Sequence, residues 1–163
     1  PTHHGVSDMG AMMQLPCEVF NASDAIVTGW LADYSATMPT YIRLNRGEAP
    51  EYQTPYDLSH GIRALRPGKA WLISSGYMVG ECMKEDASYG VIDIFRVKPL
   101  NEDLLRFMAG DKEIIVVEDN LYGPLHQAVS VALGRRCKSI APPAPLFEYG
   151  SRDFLHRKAG ILA

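Results

Sequence analysis

Short runs of β-branched and aliphatic residues alternate with helix-patterned stretches along this chain. That alternation restricts it to an α/β fold built on a mainly parallel sheet. The pattern is clearest in the second half. Ala70 to Ser74, Gly90 to Phe95 and Glu113 to Val117 read as buried strands. Between them, Tyr77 to Lys84 and Glu102 to Met108 read as helices. Asn101 caps the second, and its first turn is acidic, where the helix dipole favours negative charge. Gly123 precedes a helix from Pro124 to Leu133, and Lys138 to Ala141 reads as a last short strand. Ser151 then caps a final helix ending near Gly160.

The first fifty residues are less complete. Ser7 to Leu15 predicts a short helix ended by Pro16, and Glu18 to Asn21 a short strand. Ser23 or Asp24 caps a helix through about Ala36, and Pro39 to Leu44 reads as a second strand. Two strands and two helices cannot cover an open parallel sheet on both faces, so residues 1–50 read as part of a domain. From Arg46 to Pro67 the chain is polar, proline-containing and without periodicity, which marks a connector with a short strand near Ser59 to Leu65. The expected organisation is a partial domain over 1–50, a linker over 51–66 and a compact α/β domain over 67–163.

Composition removes several functional classes. A formal net charge of −3, with the basic residues scattered, gives no footprint for nucleic acid or an anionic membrane. The one tight basic cluster, Arg135, Arg136 and Lys138, reads as a solvated helix end. No apolar run approaches the roughly 20 residues that span a bilayer, and no signal-peptide pattern is visible. Cys17, Cys82 and Cys137 have neither metal-ligand nor disulfide spacing, so reduced thiols and a cytoplasmic location are expected.

Few residues suggest chemistry. In Pro1-Thr2-His3-His4-Gly5, two imidazoles precede a helix start, a setting suited to a polar or anionic ligand; a tag remnant or disordered terminus is the alternative. Arg43 and Arg46 flank the end of a strand, where an open α/β sheet places its ligands and a guanidinium suits a phosphate; both being surface residues is the alternative. Glu118, Asp119 and Asn120 follow the strand ending at Val117 and read as helix caps and interdomain contacts more than as a site. Met9, Met12 and Met13 follow helical spacing and read as core packing.

Taken in order, these segments resemble one family. Pro1-Thr2-His3, the acidic Asp8 and Met12-Met13-Gln14-Leu15-Pro16 are similar to the pyrimidine-binding domain of transketolases and deoxyxylulose-phosphate synthases. So is Ile42-Arg43-Leu44-Asn45-Arg46-Gly47, which resembles an R-x-x-R-G strand end. Val91-Ile92-Asp93, Lys98-Pro99-Leu100 and Val116-Val117-Glu118-Asp119 leading to Gly123 resemble the C-terminal domain of the same family. Asn21 replaces a usual proline, His4 a usual glutamine, and Tyr122 a common second glycine.

The resemblance implies a partial pyrimidine-binding domain followed by a three-layer α/β/α transketolase C-terminal domain. It also implies thiamine diphosphate and magnesium as cofactors, bound mainly by segments absent from this chain. His3 matches the family histidine near the reacting centre, and Arg46, with Arg43 secondary, the residues that hold the substrate phosphate. The glutamate that activates the cofactor and the Gly-Asp-Gly…Asn motif that binds magnesium do not occur in the 163 residues. The expected function is therefore a C-terminal fragment or subunit of a transferase moving a two-carbon ketol or acyl unit between sugar-phosphate-type substrates. It would be inactive without an N-terminal section, on the same or a separate polypeptide, within a homodimer or heterotetramer. The alternative is a non-catalytic dimerisation or regulatory module derived from that family.

Overall fold

A computed structural model describes residues 7–45 and 49–142. The element order is α1 (Asp8–Met12), β1 (Glu18–Asn21), α2 (Ala25–Ala32), β2 (Thr40–Arg43), a 3₁₀ turn at Leu58–His60, β3 (Ile62–Arg66) and β4 (Ala70–Ser74). It continues with α3 (Tyr77–Lys84), β5 (Tyr89–Ile94), β6 (Arg96–Lys98), α4 (Glu102–Ala109), β7 (Ile114–Val117), α5 (Pro124–Leu133) and β8 (Lys138–Ile140). The α/β class expected from the alternating pattern is the observed one.

Two sheets form. The larger runs β3-β5-β4-β7-β8, parallel throughout except for β3, which lies antiparallel to β5. Its inner strands β4 and β7 are apolar on both faces, as a parallel sheet covered on two sides requires. Trp71, Ile73, Ile92, Ile94, Ile114 and Val116 point into one core, which α4 and α5 close with Leu105, Ala109, Leu125 and Val129. Leu72, Val91 and Val117 point the other way, where α3 supplies Met78, Val79 and Cys82. The two-residue period of a strand thus sorts adjacent residues into opposite layers.

The smaller sheet runs β2-β1-β6. Its third strand is taken from the second half of the chain: β6 pairs antiparallel with β1 through Val19↔Lys98 and Phe20↔Arg96. The periodicity did not mark β6, because three residues are too few to show a period. α2 closes this sheet with Val27 and Leu31 against Phe20 and Phe95. The expected linker contains β3, so the larger sheet begins at Ile62, five residues before Pro67.

Two helices stop earlier than the pattern predicts, each for a visible reason. After Met12 the freed carbonyls of Met13 and Leu15 are taken by the Lys98 ammonium at 2.9 and 2.6 Å. α2 ends at Ala32 because Tyr34 turns back, its hydroxyl 2.9 Å from the Glu18 carboxylate and its ring edge-on to Phe20. The expected helix from Ser151 lies outside the described residues.

Candidate functional site

The carboxyl end of β2 faces the carboxyl end of β7, and charged residues join them. Arg43, the last residue of β2, directs Nε at Asp8 of α1 (3.1 Å) and Nη1 at Asp119 after β7 (2.8 Å). The Tyr41 hydroxyl donates to the other side of this group, 2.9 Å from Asp8 Oδ2. Burial, reinforced by that carboxylate, pushes the Tyr41 phenol up to about 12. Burial works against the Arg43 charge, but the Asp119 carboxylate outweighs it and holds the guanidinium above its ordinary range.

Next to Asp119, Glu118 is almost fully buried. Its two oxygens accept the N–H groups of Leu125 (3.0 Å) and His126 (2.9 Å), which are free donors in the first turn of α5. Burial pushes its pKa up to about 7 despite those two bonds. Gly123, at φ +65°, makes the turn that brings the helix start back onto this carboxylate. Glu118 is therefore a helix cap and Asp119 a contact between the two sheets, the two roles their position after a strand suggested.

A second charged group lies deeper. Arg63 of β3 is fully buried, with Nε 2.9 Å from Asp93 of β5 and Nη2 3.0 Å from Asp24, the N-cap of α2. The Ser23 hydroxyl donates to Asp93 Oδ2 at 2.6 Å, and Arg63 also donates to the Tyr52 carbonyl. Burial raises Asp93 to about 6, against the pull of Arg63. Beside it the Asn21 amide donates to Ser75 at 2.8 Å, and a side chain at Gly76 (φ +59°) would collide with that carboxamide. Sequence reasoning did not single out this group. Its signal was a charged residue inside each of two apolar strands, Arg63 in Ile-Arg-Ala-Leu and Asp93 in Val-Ile-Asp-Ile.

Of the expected site residues, His3 and Arg46 lie outside the described residues. Arg43 stands at the strand end as expected, with its guanidinium engaged by two carboxylates. Met9 is buried in the main core with Met12 and Met13 packed against it, and all three cysteines are buried free thiols. Burial pushes Cys82 up to about 12, which leaves it unreactive at neutral pH. Among the described residues no group of three or more His, Cys, Asp and Glu side chains could hold a metal ion, and no helix is long and apolar enough to cross a membrane.

The same arrangement of strands and helices is found in known structures. A split gene transketolase, solved as an inactive beta4 tetramer, matches with a TM-score of 0.78 at 23% identity, over 99% of this chain and 59% of that one. A transketolase from Pichia stipitis in complex with fructose 6-phosphate matches with a TM-score of 0.77 at 15% identity, over 99% of this chain and 26% of that one. At these identities the likeness is one of fold. In sequence, the 1-deoxy-D-xylulose-5-phosphate synthase of Pseudomonas paraeruginosa is 30% identical over 94% of this chain. That of Aquifex aeolicus is 28% identical over 99%. No family model matches the chain. Over nearly its whole length the chain is similar to the C-terminal part of transketolase-type thiamine-diphosphate enzymes. It spans about a quarter of the length of the curated relatives it matches (26% of the Pseudomonas paraeruginosa synthase).

Proposed function

We propose that this chain is the C-terminal section of a thiamine-diphosphate-dependent transferase that moves a two-carbon ketol or acyl unit between sugar-phosphate-type substrates. The observation that carries the reading is the match of 94% of the chain to deoxyxylulose-phosphate synthases. In this reading residues 1–50 complete a pyrimidine-binding domain, 51–66 connect, and 67–163 form the C-terminal domain. Among the described residues no cluster of three or more metal-ligating side chains could hold magnesium. In this reading thiamine diphosphate and magnesium are bound mainly by a companion N-terminal section on the same or a separate polypeptide.

What this chain supplies is substrate contact and its support. His3 hydrogen-bonds substrate oxygens near the reacting carbon, and Arg46 holds the substrate phosphate. Arg43 adds positive charge beside it; because Asp8 and Asp119 hold its guanidinium, its part is to fix the strand end from which Arg46 follows. A guanidinium pinned in this way is already ordered before substrate arrives, which reduces the entropy lost on binding. The companion section assembles with this chain in the cytoplasm, as a homodimer or heterotetramer. The split-gene relative is an inactive beta4 tetramer, which supports the expectation that a section of this kind does not work alone.

Two measurements test the proposal. Intact mass of the natural product, compared with 18.0 kDa, tells whether these residues are one piece of a longer polypeptide. Two-carbon transfer from a phosphorylated ketose, or from pyruvate to an aldehyde, should require the companion section. It should fall at least a hundredfold in His3→Ala, and Arg46→Gln should raise KM for phosphorylated substrates. Robust transfer by the 163-residue chain alone would overturn the reading.

A further inference from the structure

A cavity of about 660 Å³ lies between α2 and α3. α2 leaves the carboxyl end of β1 in the smaller sheet, and α3 leaves the carboxyl end of β4 in the larger one. An open α/β sheet takes its ligands at that end of its strands, and the volume is that of a small-molecule site. Gly29 of α2 and Gly80 of α3 both line the cavity. Each sits inside a helix, where glycine is a poorer helix former than alanine. Packing demands neither. Among the described residues a Cβ at Gly29 would meet nothing within 4 Å, and one at Gly80 only the Tyr52 hydroxyl, at 3.4 Å. Both helices give up helix propensity and leave the same space open.

A second observation is independent of the glycines. Glu81 of α3 also lines the cavity and is only 7% exposed. Its Oε1 accepts the Lys84 ammonium at 2.8 Å, and the Lys84 side chain is itself 70% exposed. Among the described residues nothing donates to Oε2, so a buried carboxylate keeps one open acceptor on the cavity wall. Tyr52 and Tyr77 add aromatic surface. The Tyr52 N–H donates to Asp24 Oδ2 at 2.8 Å, which ties that wall to the start of α2. Burial, then the carboxylates of Asp24, Asp93 and Glu81, hold the Tyr52 phenol above its ordinary range, as a neutral donor. Along and behind the wall, the carboxylates of Asp24, Asp93 and Glu81 outnumber the cations of Arg63 and Lys84.

We propose that this cleft binds a small aromatic amine, its ring against Tyr52, Tyr77 and the two glycines and its protonated nitrogen donating to Glu81 Oε2. The carboxylate supplies a charge-assisted hydrogen bond without giving up Lys84, and tyrosine faces attract a cation. An anion of the same shape meets Glu81 and an excess of negative charge. The walls come from helices on both sheets, so an occupant also ties one sheet to the other. The site uses neither His3 nor Arg46 and does not depend on the functional reading above.

Tyramine and 4-hydroxyphenylacetate, which share a phenol ring and carry opposite charges, are the probes. Isothermal titration calorimetry on the assembled or full-length enzyme should show one tyramine bound per copy of this chain. Its affinity should exceed that of 4-hydroxyphenylacetate by about tenfold or more. Glu81→Gln keeps the shape and removes the charge, and should weaken tyramine about fivefold or more. Gly29→Leu fills the cavity and should abolish binding, while the unfolding midpoint holds or rises because a glycine has left a helix. Should Gly29→Leu fail to fold, Gly29→Ala takes its place, with a higher midpoint and a loss of affinity of about threefold or more. No saturable tyramine binding at millimolar concentration, equal or tighter binding of the anionic probe, or binding untouched by these substitutions overturns the proposal. So does a lower midpoint in Gly29→Ala, which would show that packing holds the glycine in place.

Discussion

Arg63→Met takes a guanidinium away from Asp93 and Asp24, carboxylates exposed to 0% and 1%. Four contacts go with it: Asp93 at 2.9 Å, Asp24 at 3.0 Å, and Ser23 and the Tyr52 carbonyl at 3.2 Å each. Breaking a buried pair by removing one partner costs about 3–5 kcal/mol, because the remaining charge is left in a medium that cannot solvate it. Asp93 has a partial escape, since it already sits near 6 and will take up a proton at neutral pH once the cation is gone. The loss at pH 7 should therefore lie near the lower figure, about 3 kcal/mol. With a urea m-value of about 2 kcal/mol/M, that moves the unfolding midpoint down by about 1.5 M.

The pH dependence carries a second signature. A carboxyl raised in the folded state adds stability that is complete below its unfolded pKa and is lost as pH rises through the folded one. For the parent that window runs from 3.8 to about 6. In Arg63→Met it extends upward, so between pH 6 and 8 the variant should lose stability more steeply than the parent, by up to about 1.4 kcal/mol per pH unit. Arg63→Met with Asp93→Asn removes one of the two stranded carboxylates and should recover part of the loss. A midpoint shift below about 0.5 M urea, parallel pH profiles, or no recovery in the double variant would refute the account of a charged joint.

Glu118→Gln should remove the part of the stability decline that Glu118 causes between pH 4.5 and about 7, read from urea midpoints across that range. An unchanged slope would show that the carboxyl does not titrate there. Tyr41→Phe deletes the hydroxyl bond to Asp8 and should cost about 1 kcal/mol in unfolding experiments, while one phenol titrating near 12 disappears from the ultraviolet titration. Asn101→Ala removes the acceptor for the Leu104 N–H at the start of α4 and should cost about 1 kcal/mol, with Asn101→Ser recovering most of it.

Most of the framework was legible in sequence because it rests on local regularities. Ile114 to Val117 is apolar on both sides, Asn101 and Asp24 are capping residues, and Gly123-Pro124 starts a helix; each needs only near neighbours to act. Arg43 was also visible, as a cation at a strand end. Its two carboxylate partners were not, since Asp8 and Asp119 lie 35 and 76 positions away and nothing local links them. β6 escaped for the same reason: three residues become a strand only because β1 offers them an open side.

The sequence by itself thus determined the class of fold, the placement of nearly every helix and strand, and the family the chain resembles. It did so because hydrophobic period, caps and turn residues act over a few positions. Only the tertiary structure decided how the two sheets are joined, with β6 crossing to the smaller sheet and Arg63 and Arg43 each bridging carboxylates from separate segments. Pairings of this kind depend on which distant groups burial forces together, and a charge removed from water takes whatever partner the fold brings to it.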